Sequence, residues 1–62
     1  MKSSTIEELQ RASKELQHAI YILNIKTRGD KELQDLEKFQ SMMINLSHES
    51  DTLLNIISEN KQ

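Results

Sequence analysis

Thr27-Arg28-Gly29-Asp30-Lys31, TRGDK, contains the single glycine of a 62-residue chain that has no proline. Glycine is the residue best suited to end a helix, because it enters the left-handed region without a Cβ clash. Arg28 just before it complements the negative end of a helix dipole. Asp30 just after it can accept a hydrogen bond from the free N–H groups that open a following helix. Read together, these three residues predict the end of one helix, a left-handed Gly29 and the start of another. A connection this short leaves the two helices antiparallel, so the stretch predicts an αα-hairpin.

The residues on either side carry matching helical patterns. Before the turn, Ser4 with Glu7 and Thr5 with Glu8 are overlapping capping-box options for a helix over 5–28. Ile6, Leu9, Ser13, Leu16, Ile20, Leu23 and Thr27 follow at alternating steps of three and four, which is a heptad seam. After the turn, a helix over 31–59 is predicted, with Leu36, Phe39, Met43, Leu46, Ser50, Leu53 and Ile57 as its seam. At about 1.5 Å per residue these helices would be roughly 36 and 43 Å long, so the second should overhang the first. Folding about Gly29 sets Leu23 near Leu36, Ile20 near Phe39, Leu16 near Met43, Ser13 near Leu46 and Leu9 near Ser50. Two adjacent layers toward the open end then contain a serine each. Such a serine can be a small residue that the packing tolerates, can donate to the carbonyl four residues earlier, or can form a polar notch that sets register or receives a partner's side chain.

A chain of this size buries only about 60% of its unfolded surface and is marginal alone. It has no cysteine, so neither disulfides nor thiolate zinc ligation can supplement the core. Tyr21, Ile22, Ile25, Met42, Ile44, Leu54 and Ile56 lie off both seams, where one hairpin has nothing to cover them. They are the expected partner-binding residues. Ala12 and Ala19, seven apart beside the first seam, would let a neighbouring helix approach closely. The expected architecture is therefore all-α: an antiparallel two-helix hairpin, a single unit over 1–62, completed as a four-helix bundle by a second copy or by a helical partner.

Charge and composition narrow the function further. Five cations face three acids in residues 1–28, and three cations face seven acids in residues 29–62. The halves are complementary to each other, but no basic stripe suited to nucleic acid emerges, because Glu7, Glu8 and Glu15 interrupt Arg11, Lys14, Lys26 and Arg28. The longest apolar run, Ala19 to Leu23, is far too short for a membrane span, and the expected location is the cytoplasm. No glycine-rich phosphate loop is present. No cofactor, metal or small-molecule substrate is expected.

Leu46 to Asn55, LSHESDTLLN, gathers the most reactive side chains of the chain. Consecutive residues on a helix point about 100° apart, so Ser47, His48 and Glu49 cannot converge into a nucleophile–base–acid relay. His18 and His48 both fall at the outermost heptad position, facing solvent. The stretch nevertheless resembles the signature Leu-Ser-x-Glu-Leu-Asp-x-Leu-Ile/Leu-Asn of the small α-hairpin phosphatases that dephosphorylate aspartyl-phosphate response regulators of bacillar sporulation. That resemblance implies that Ser47, Glu49 and Asp51 face a receiver domain's phosphorylation site and help to position a water. His48 and Ser50 stand where the signature has glutamine and leucine. In architecture alone, the chain also resembles the helical co-chaperones of type III secretion needle subunits. From the residues themselves, the expectation is a non-enzymatic interaction module, of regulatory-adaptor or co-chaperone type, that acts through apolar helix faces.

Overall fold

The computed structural model describes residues 1–61, and Gln62 lies outside the described residues. The chain is all-α. Helix α1 spans Ser3–Arg28, a short α2 spans Lys31–Asp35 and α3 spans Glu37–Asn60. The two long helices pack antiparallel into a rod with extents of 44 × 16 × 11 Å.

The turn stands where the sequence places it, but its chemistry differs. Gly29 has φ −93° and ψ −1°, in the right-handed region, and no described residue has a positive φ. The N–H groups of Gly29 and Asp30 donate to the carbonyls of Lys26 and Thr27 at 3.2 and 3.3 Å. These tightened bonds close α1 without a left-handed residue. The reversal instead begins at Asp30, which is extended at φ −138° and ψ 105°. Its carboxylate accepts from the Leu33 N–H at 3.2 Å, which is the expected N-cap. At the other end, α1 begins before the capping-box residues, with extended Lys2 as a cap that makes no side-chain bond. Ser4, Thr5, Glu7 and Glu8 are thus inside the helix.

The larger correction is in the second half, which is not one helix over 31–59. Leu36 is extended, with φ −79° and ψ 110°, and separates α2 from α3. Two glutamines hold the joint. The Gln34 side-chain amide donates to the Thr27 carbonyl at 2.8 Å, a second bond on the acceptor that already receives the Asp30 N–H at the end of α1. The Gln40 amide donates to the Gln34 carbonyl across the break. A five-residue helix is about 7.5 Å long, close to the 8–10 Å between packed helix axes. Contacting both long helices, α2 fills the gap between their ends. It also turns Leu33 inward to half-burial, while Leu36 remains 54% exposed and does not face Leu23.

Because α3 begins at Glu37 rather than Lys31, the seam slips by one heptad. The grooves between α1 and α3 record the slip. One groups Gln17 and Ile20 with Ser47, Ser50 and Asp51, and another groups Ser13 with Leu54 and Ile57. Thr27 is therefore level with Phe39, Leu23 with Met43, Ile20 with Leu46, Leu16 with Ser50, Ser13 with Leu53 and Leu9 with Ile57. The long helices, of 26 and 24 residues, are about 39 and 36 Å long, so α3 does not overhang α1.

Burial is concentrated away from the turn. Among the described residues, Ile6, Ser13, Ser50 and Ile57 are buried, and the remaining seam side chains of α1 and α3 are half-buried, while Leu36 at the joint is exposed. Both serine layers are inside the hairpin, flanked on the open side by Leu9 and Ile57. Ser13 is only 2% exposed, yet its hydroxyl has no hydrogen-bond partner. The bond to the carbonyl one turn back is not made, in contrast to Thr27, whose Oγ1 donates to the Leu23 carbonyl at 2.7 Å.

Candidate functional site

Two long helices in contact leave two broad faces, one on each side of the seam. In an antiparallel pair, the heptad positions beside the seam group like with like. One face accordingly carries Gln10, Gln17 and Asn24 from α1, with Ser47, Leu54 and Lys61 from α3. The grooves bear this out by grouping Gln10, Gln17, Leu54 and Lys61. The opposite face carries Ala12, Ala19 and Lys26 with Met42, Glu49 and Ile56. Of the six flanking positions on each face, four are apolar on the second and only Leu54 on the first, so the faces are chemically distinct.

The off-seam apolar residues divide accordingly. Ile22, Met42 and Ile56 lie on or beside the alanine face, and each is exposed. Tyr21, Ile44 and Leu54 lie on or beside the glutamine face; Ile44 is 70% and Tyr21 62% exposed. Ile25 is also exposed, but its heptad position points it away from both faces. The seven residues therefore do not form one patch. Sequence reading underweighted Ala12 and Ala19 in this respect, because their value as contact surface depends on what lies beside them across the seam. Leu36 is a further exposed apolar side chain, which its seam spacing gave no reason to expect.

The reactive residues of LSHESDTLLN are parted in the same way. Ser47 and Asp51 line one groove with Gln17 and Ile20. Glu49 lines a shallow surface on the other face, beside Lys38, Met42 and Asn45. Ser47, Glu49 and Asp51 thus flank α3 on two sides instead of converging on one point. His18 and His48 are exposed on different helices, and no group of three potential metal ligands occurs among the described residues. Among the described residues, too, no helix is long and apolar enough to cross a membrane. Comparison with protein-family models, curated proteins and solved structures finds no match to this chain.

Proposed function

We propose that this protein is a non-enzymatic interaction module of regulatory-adaptor or co-chaperone type, which works by laying an apolar helix face against another helical surface. The observation that carries this reading is the distribution of apolar side chains. Among the described residues, Ile6 and Ile57 are the buried ones, whereas Tyr21, Ile22, Ile25, Met42, Ile44, Leu54 and Ile56 are all exposed. Covering a large apolar side chain is worth about 1.5–3 kcal/mol, so a few of these suffice to drive association. The shape fits the role, since a helical face laid against a partner is read through anchors one turn apart. The separation of Ser47 and Asp51 from Glu49 favours contact over catalysis.

The test is site-specific photo-crosslinking in the native host. A crosslinker at Ile22, Met42 or Ile56 should give discrete products, either of the chain with itself or with one recurring protein. The same group at His18 or His48, on the outer surface, should give none. Uniform weak labelling at all five positions would end the proposal. So would accelerated loss of phosphate from an aspartyl-phosphorylated receiver domain that depends on Ser47, Glu49 and Asp51, because that outcome makes the chain a phosphatase.

A further inference from the structure

We infer that the alanine face is the contact surface for a second copy of this chain, packed antiparallel, with its two-fold axis near Ala19. The inference rests on the interaction-module reading and adds the partner, the face and the orientation.

Three observations converge on it. The first is area. The accessible surface is 5193 Å² for a 7.2 kDa chain, whereas a compact chain of that mass exposes about 4,100 Å². The excess of roughly 1,000 Å² matches the ~800 Å² that each partner contributes to a standard stable interface. A body as large as another hairpin is thus the right size of cover.

The second is relief. Ala12 and Ala19 are exposed and form a low strip on α1. Met42 and Ile56 form raised apolar points on α3, on either side of Glu49. A two-fold axis that reverses the helices lays Met42 of one copy on Ile56 of the other, and Ala19 on Ala19. The same surface then serves both copies, as an isologous interface requires.

The third is charge. Along this face the open end carries Glu8 and Glu59, and the turn end carries Lys26 and Lys38. Antiparallel stacking sets each acidic end on the other copy's basic end. Parallel stacking sets Glu8 against Glu59 and leaves the lysines together. The arrangement has unfavourable elements near the axis, where the two Glu49 carboxylates approach each other and Glu15 lies about one turn from Ala19.

The test is sedimentation equilibrium on the full chain, with circular dichroism to verify that each variant stays helical. The wild-type chain should be dimeric at micromolar concentration. Ala19→Glu, at an exposed site with good helix propensity, should weaken the dimer on the order of 100-fold through like charges at the axis. Glu49→Gln should tighten it by roughly three-fold or more. Lys38 and Glu59 lie about 31 Å apart within one hairpin, so they can couple only between copies. Lys38→Glu and Glu59→Lys should each weaken the dimer about five-fold, and the double variant should restore it. A wild-type monomer, a dimer indifferent to Ala19→Glu, or a double swap without rescue would each overturn the inference. If the chain is monomeric yet crosslinks from Met42 and Ile56 to a host protein, the second copy fails while the interaction module stands. If it does neither, both fail.

Discussion

The two ends of the hairpin are built from similar material and pack differently. Toward the turn the seam offers Leu23, Met43, Phe39 and Leu33, all large, and none of them is fully buried. Away from the turn it offers Ser13 and Ser50 among the half-buried Leu9, Leu16 and Leu53, with Ile6 and Ile57 toward the open end, and the two serines and two isoleucines are the buried residues. Two facing helices can cover a side chain as small as serine almost completely, as they do at Ser13 and Ser50. The large side chains nearer the turn keep part of their surface in water, because the rod has no third layer to cover them.

Substitutions that remove or reverse this contrast should have effects in a definite order. Ile57→Ala takes the most buried apolar side chain from the tight half and should lower stability by about 2–4 kcal/mol in urea unfolding. Ser13→Leu forces a large side chain into a buried position between the helices and should cost about 1–3 kcal/mol. If that substitution is neutral, the serine layers are not close-packed and the contrast between the ends is lost. Ser13→Ala keeps the spacing and removes a buried hydroxyl without a partner, so it should stabilise by about 1 kcal/mol. Asp30→Ala, at the loose end, loses the bond to Leu33 N–H and should cost about 1 kcal/mol. Leu36→Gln replaces an exposed leucine, and unfolding midpoints should move by the equivalent of no more than about 0.5 kcal/mol. A much larger loss there would put Leu36 back in the seam.

Much of this fold is legible in the sequence. The stepping from Ile6 to Thr27 and from Phe39 to Ile57 marks the faces that meet, and TRGDK marks where the first helix ends, with Asp30 as the next cap. The register is not legible, for a specific reason. A slip of one whole heptad carries every apolar seam position onto another, so pairing Ile20 with Phe39 or with Leu46 satisfies the same pattern. What decides between them is the length of the connection, and that depends on a break at Leu36. No glycine, proline or polar cap announces the break, because Leu36 itself continues the period. The bonds that hold it, from Gln34 to Thr27 and from Gln40 to Gln34, are tertiary or cross-joint contacts of residues that are ordinary helix formers. The candidate face was half legible. Its exposed isoleucines and methionine could be named from their spacing, but sorting them into two faces required the helices' mutual orientation.

The joint at Leu36 also has a consequence in time. The amides of Glu37, Lys38 and Phe39 open α3 with no carbonyl one turn behind them inside that helix, and Leu36 supplies no side-chain cap. In hydrogen exchange these three sites should lose their protons early, while amides near Ser50 keep theirs until the whole hairpin opens. The second half of the chain would then show an unprotected gap a few residues wide after a weakly protected turn. The molecule would unzip from its closed end, where the chain is continuous, before it parts at its open end, where the helices are joined by packing alone.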